Sequence, residues 1–173
     1  VGFSSGDDPL YEAYKEHVGP FHFTPAELFG QTFPQVDFKA GELTVISWVL
    51  PQMEKTKADD RRETHYPSES WVRARIFGEE VNVKRRHHVV EVLKDAGIEA
   101  VSPSLSPLWS RKDSERFVFA SNWSERHAAH AGGLGTFGLC DGLITPRGKA
   151  MRLGSAIARI KIPATPRPDR SHR

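Results

Sequence analysis

The stretch AGGLGTFG, residues 131–138, carries Gly133, Gly135 and Gly138 in the Gly-x-Gly-x-x-Gly spacing of a dinucleotide-binding turn. Such a turn needs a strand before it, a helix after it to receive the pyrophosphate, and an acidic residue about 20 positions further on. The neighbours give the reverse order. SERHAAHA (124–131) has the Ala-rich composition of a closely packed helix, and Asn122 followed by Glu125 resembles an N-cap with a reciprocal Glu. LCDGLITPRGKAMRLGSAIARIKI (139–162) reads as strands, with TPRGKA as a hairpin turn and Leu153, Ala156, Ile157, Ile160 and Ile162 as apolar strand positions. No acidic residue stands at the required distance beyond Gly138. NAD or FAD binding by this route is excluded. Two readings of the glycines stay open: a glycine-stopped helix entering a tight crossover, or a bare backbone wall that a flat ligand approaches closely.

Outward from the glycines, the chain alternates helical and strand signals. DDPLYEAYKEHV (7–18) opens with Asp and Pro at a helix start, and TPAELFG (24–30) repeats that signal on a smaller scale. ELTVISWVLPQ (42–52) is uncharged from Leu43 to Leu50, rich in β-branched residues and closed by Pro51, which predicts a buried central strand. Residues 51–68 are highly charged without apolar periodicity and predict an exposed loop or lid. From Glu69 to Ala96 the residues Trp71, Val72, Ile76, Val81, Val89, Val90, Val92 and Leu93 fit one long helix, or two broken near Gly78, with Gly97 as the stop. Within it KRRHH (84–88) is either a solvated face or a nucleic-acid patch. IEAVSPSLSPLW (98–109) gives a short strand and then a Ser/Pro-rich loop.

The 173 residues suit one domain, and 24 basic against 22 acidic side chains give a net charge of +2 that by itself calls for no polyanionic partner. The distribution is uneven. From Arg147 onward Arg147, Lys149, Arg152, Arg159, Lys161, Arg167, Arg170 and Arg173 face only Asp169. Residues 1–162 are expected to form the domain and 163–173 a basic linker. No apolar run approaches the roughly 20 residues that cross a bilayer. The lone Cys140 excludes an internal disulfide and cannot by itself build a zinc or iron–sulfur site, so a reducing, cytoplasmic setting is expected. The first residue is Val and no secretory pattern follows it, as expected of a processed or incomplete chain.

The segment from Ser124 to Ser155 resembles the epoxyqueuosine reductase-like iron–sulfur proteins. The shared residues are Glu125, Arg126, Ala129, Gly133, Leu134, Gly135, Gly138, Leu143, Ile144, Thr145, Gly154 and Ser155, with a weaker match on TVISWVLP (44–51). The resemblance implies an α/β (α+β), nitroreductase-like three-layer domain whose central mixed or antiparallel sheet is flanked by helices. It implies a cobalamin pocket lined by Gly133, Leu134, Gly135, Thr136, Phe137 and Gly138, with Gly154 and Ser155 nearby. Two four-iron four-sulfur clusters are expected in a ferredoxin-like domain beyond Arg173. Electrons would pass from the clusters to the corrin cobalt and then to a small-molecule or tRNA-linked substrate.

One departure concerns the substrate. In the tRNA-modifying members the resemblance places a proton-donating Asp six residues before the Glu of Glu-Arg; here that position is Phe119, which carries no titratable proton. Asp113 and Glu115 are the nearest substitutes, and reduction of epoxyqueuosine itself is not expected. Two other classes are carried alongside. One is a module binding RNA or another acidic partner through the basic C-terminal strip and KRRHH. The other is a metal-assisted hydrolase built on Glu125, His127 and His130, for which a third protein ligand is not evident.

Overall fold

The computed structural model describes residues 1–113 and 119–167. In chain order the elements are β1 (Gly2–Ser5), α1 (Leu10–Val18), α2 (Pro25–Thr32), β2 (Thr44–Pro51), α3 (Glu54–Asp60), α4 (Glu69–Asp95), β3 (Ala100–Val101), β4 (Arg111–Lys112), β5 (Ala120–Ser121), α5 (Glu125–Ala131), β6 (Thr136–Phe137), β7 (Leu143–Ile144) and β8 (Met151–Ala158). The fold is mixed α/β around a four-stranded antiparallel sheet of order β1-β2-β8-β3. As expected, TVISWVLP is an inner strand.

Local chemistry explains the helix starts. The Leu10 amide donates to Asp8 Oδ1 at 3.0 Å just before α1, and Thr24 with Glu27 forms a complete capping box on α2. The sheet separates two layers, and strand alternation sorts its side chains between them. Trp48 lies on one face and donates from Nε1 to Asn82 of α4 at 3.0 Å. On the other, Ser155 Oγ accepts from Trp123 Nε1 at 3.1 Å beside α5. The main core, on this second face, joins Tyr11, Tyr14, Leu28, Phe29, Val45, Trp123 and Ile157.

Several local expectations change. The segment 51–68 is not all loop: it contains α3, held by Lys57 paired with Glu54 and by Asp60 Oδ1 accepting the Ser68 amide at 2.9 Å. Glu69–Asp95 is one helix, unbroken at Gly78, where a Cβ would stand 2.9 Å from Arg152 Nε. The cap of α5 is Ser124, not Asn122, whose side chain instead satisfies the Ser110 amide and the Leu108 carbonyl. TPRGKA turns as expected, closed by Thr145 and Gly148, but β7 pairs with β6 rather than with β8. Residues 163–167 do not leave the domain: Thr165 exchanges hydrogen bonds with Phe3 of β1, and Arg167 pairs with Asp8.

The buried face of α4 also reverses expectation. Asn82 and Arg86 are its buried residues, whereas Val72, Ile76, Phe77, Val81 and Val92 are exposed. The cause is the edge of β8. Strand β3 pairs only with Ala158 and Ile157, which leaves the earlier β8 carbonyls without a strand partner. Asn82 Nδ2 and Arg86 Nη2 donate to Leu153 O at 2.8 and 3.1 Å, and Ser102 Oγ donates to Ser155 O at 3.0 Å. Buried carbonyls require partners, and polar side chains of α4 supply them where backbone does not.

Candidate functional site

A cavity of about 1150 Å³ opens between α1, α5 and the β6–β7 hairpin. Its apolar wall comes from Leu10, Ala13, Val18, Trp109, Phe119 and Phe137, and its polar groups include Tyr14, His17, Arg111, Ser124, Arg126, His127, His130, Thr136 and Asp141. The sequence places these together because α1 and α5 pack side by side. Tyr14 from α1 shares a 2.7 Å hydrogen bond with His130 Nδ1 of α5, and its ring meets His127 edge-on at 4.6 Å. Phe137 closes the aromatic floor, with its ring 4.8 Å from His127 and 5.2 Å from His130.

His127 is the most informative of these side chains. Its Nδ1 is bonded to Ser124 Oγ at 2.8 Å, while Nε2 makes no hydrogen bond among the described residues. Burial first, and then the charges of His22, Arg126, His130 and His17, push its pKa down to about 3. The ring is therefore neutral at physiological pH and offers a free nitrogen. Beneath it lies His22, 1% exposed, stacked on Trp123 with both ring nitrogens unpartnered among the described residues. Burial lowers its pKa to about 4.

These two histidines predict a pH dependence. A histidine kept neutral by the fold gives the unfolded chain the greater proton uptake between its folded pKa and about 6.5, so stability is full above that window and falls on acidification through it. His22→Phe removes two orphaned nitrogens and one such titration. Urea unfolding at about pH 7 should show stability unchanged or raised, and at about pH 4.5 a smaller acid loss than in the unsubstituted protein. An unchanged acid loss would mean that His22 is solvated.

The segment AGGLGTFG is explained largely by packing. Gly133 (φ 73°) ends α5 in a Schellman turn, in which its amide donates to His130 O and the Leu134 amide donates to Ala129 O. A Cβ at Gly133 would lie 2.7 Å from Pro166 O, at Gly135 2.3 Å from Ile144 O, at Gly138 2.7 Å from the Ile144 side chain, and at Gly154 2.5 Å from the Trp48 indole. The space at each glycine is filled by the chain itself. Leu134 packs by Gly2, and Ser155 is buried under Trp123. Of the eight expected lining residues, Thr136 and Phe137 face the cavity.

Phe119 is at the cavity, 86% exposed. Asp113 is not among its lining residues, and Glu115 lies outside the described residues. Among the described residues the acidic residue that lines the cavity is Asp141, which sits in a turn with φ 53° and whose backbone carbonyl accepts from Arg126 at 2.8 Å. Composition gave no signal for it, because an Asp in a turn is ordinary. Glu125 does not join His127 and His130. Its carboxylate points away from the cavity, accepts from Ser104 Oγ at 2.5 Å and lies 3.5 Å from Arg86 Nε. Burial raises its pKa, against the lowering effect of Ser104, Ser155 and Arg86. Among the described residues no group of three His, Cys, Asp or Glu side chains is placed to hold a metal ion.

Part of the basic strip is paired within the domain. Arg152 pairs with Glu79, Arg159 with Glu42 and Glu99, and Arg167 with Asp8, while Lys149 donates to Cys140 Sγ at 3.2 Å. Arg86 of KRRHH is buried in an ion pair with Glu79, and the other four residues are exposed. Arg170 and Arg173 lie outside the described residues. No helix among the described residues is long and apolar enough to cross a membrane.

No family model matches the sequence, and no curated protein matches it. Solved structures similar in fold include a selenomethionine-labelled epoxyqueuosine reductase, 11% identical with a TM-score of 0.46 over 97% of this chain and 44% of that one. Another is an epoxyqueuosine reductase with an epoxyqueuosine-modified tRNA-Tyr stem loop, 15% identical with a TM-score of 0.47 over 97% and 43%. A third is the Bacillus subtilis enzyme with its catalytic loop swung out of the active site, 16% identical with a TM-score of 0.43 over 97% and 43%. The chain thus spans less than half the length of each of these proteins.

Proposed function

We propose that this chain is the ligand-holding domain of an oxidoreductase related to the epoxyqueuosine reductases, with a nitroreductase-like architecture, and that its cavity takes a large flat cofactor of the corrinoid class. The observation that carries the reading is the cavity itself. About 1150 Å³ lies open between largely apolar and aromatic walls, and the segment carrying the sequence resemblance supplies one side of it. The residues fit such a group. Leu10, Ala13, Val18, Trp109 and Phe137 offer surface to a hydrophobic face, and Arg111 and Arg126 stand by for polar substituents. The fit rests on these side chains and not on the glycines, whose open faces are covered by Pro166, Ile144 and Trp48.

A bound corrinoid would supply low-potential one- and two-electron chemistry, with electrons delivered from iron–sulfur clusters outside this chain. The chain's own side chains bind, orient and handle protons. His127 presents a neutral imidazole fixed through Ser124. Tyr14 and His130 hold a proton between them across 2.7 Å. With Phe119 at the rim, the expected carboxyl donor is missing from its place, and the side chains at the cavity among the described residues that could hand over a proton include Tyr14, His127 and His130, so the substrate we propose differs from epoxyqueuosine. Among the described residues Asp141, rather than Asp113, is the acidic residue at the cavity.

The reading is tested by titrating the chain with hydroxocobalamin and following its visible spectrum together with tryptophan fluorescence, Trp109 being at the cavity. The expected result is saturable binding at one site per chain with both signals moving together. Spectra and fluorescence equal to those of the separate components at every concentration would overturn it. The alternative, a polyanion-binding module, predicts affinity for RNA falling steeply with salt. The internal pairing of Arg152, Arg159 and Arg167 takes these three out of that role.

A further inference from the structure

The outer face of α4 is neither buried nor neutral in pattern. Phe77, Val81 and Val92 are each more than half exposed. At 3.6 residues per turn they fall with His88 in one stripe about 60° wide, to one side of the face that carries Asn82 and Arg86. Along one flank of that stripe, within about 40° of one another, run Arg73, Glu80, Lys84 and Glu91.

The order of these charges is self-complementary. Arg73 and Glu91 lie equally far on either side of Asn82, as do Glu80 and Lys84, and each pair is opposite in sign. Two copies of α4 laid antiparallel about a twofold axis at the level of Asn82 bring Lys84 of each copy against Glu80 of the other. The same operation brings Arg73 of each against Glu91 of the other. Like flanks face each other in an antiparallel pair, so all four contacts form on the same side of the seam. At the axis the two Val81 side chains meet, and Phe77 of one copy lies level with His87 and His88 of the other. Glu80, Lys84 and Glu91 make no ion pair within the described residues, while Arg73 holds Glu69 at 2.6 Å on its own helix.

We infer that the occupant of this face is a second copy of the chain, docked as an antiparallel α4–α4 pair. The apolar stripe supplies the attraction and the charge flank fixes direction and register, the division of labour found between seam and flank positions of paired helices. The inference does not depend on what the cavity binds.

The test is sedimentation equilibrium of the chain across concentration and salt, with circular dichroism confirming that each variant stays folded. The expected result is a reversible dimer that weakens as salt rises. Glu80→Lys turns two attractive contacts into two repulsive ones and should raise the dissociation constant about tenfold. The double variant Glu80→Lys with Lys84→Glu restores opposite charges at both places and should return the constant to within a few-fold of the starting value. A monomer at every concentration, as expected if another polypeptide covers the face, would overturn the proposal. So would a double variant no tighter than Glu80→Lys alone.

Discussion

Arg86→Ala is expected to lower the stability of the domain by about 3 kcal/mol, the usual cost of removing one partner from a buried ion pair. Arg86 has a side chain 6% exposed, donates to Glu79 Oε1 at 2.8 Å and to Leu153 O at 3.1 Å, and faces Glu125 at 3.5 Å. Its loss leaves the carboxyl of Glu125 with two hydroxyl neighbours and no cation. Glu125 already titrates above its ordinary range because it is buried, and without Arg86 its folded pKa rises further. The sign follows. A carboxyl whose folded pKa is raised stabilises the fold while protonated and costs stability as pH rises through that value. The deficit of the Arg86→Ala variant should therefore shrink on acidification toward the ordinary carboxyl range, and Glu125→Gln in the same background should recover part of it at neutral pH. Urea unfolding at both pH values measures this, and a loss below about 1 kcal/mol would show that the network is open to water.

Gly135→Val is expected to cost at least as much, about 3 kcal/mol or more, because the new Cβ would lie 2.3 Å from the Ile144 oxygen and 2.9 Å from its carbonyl carbon. Both are backbone atoms and no rotamer change relieves the contact. Gly135 immediately precedes β6, whose Thr136 pairs with Ile144 and whose Phe137 forms the cavity floor. The substitution thus disturbs stability and cavity together and does not isolate a ligand contact. Gly148→Ala is the matched control: its φ of 85° disfavours a side chain, but nothing lies within 4 Å of the added Cβ. It should cost about 1 kcal/mol. Equal effects from the two substitutions would contradict the packing account of Gly135.

Where the sequence was legible, burial and propensity agreed. TVISWVLP read as an inner strand because a strand packed on both faces is apolar throughout, and TPAELFG read as a helix start because a polar cap followed by Pro is local chemistry, to which the structure adds the Thr24–Glu27 capping box. Burial periodicity misled at α4, where Asn82 and Arg86 turn inward to satisfy Leu153 O. That demand arises from the place where β3 stops pairing, which no local window contains. The glycine segment was legible as a helix stop, but the partners that fill it, Gly2, Ile144 and Pro166, come from distant parts of the chain. The cavity is tertiary in the same sense. His127 and His130 were visible as neighbours on one helix, whereas Tyr14 reaches them from α1, and Asp141 joins the cavity lining from a turn.

The cavity between α1, α5 and β6 is the ligand site in the proposed function. Ala13→Trp tests it most directly, since Ala13 is small, lines the cavity and belongs to a helix whose cap and core contacts the substitution leaves in place. Equilibrium dialysis against hydroxocobalamin should show the affinity of the starting protein reduced by about 100-fold or more in the variant, in line with the loss of shape complementarity across a filled pocket, while circular dichroism stays unchanged. Undiminished binding by a folded Ala13→Trp protein would contradict the account.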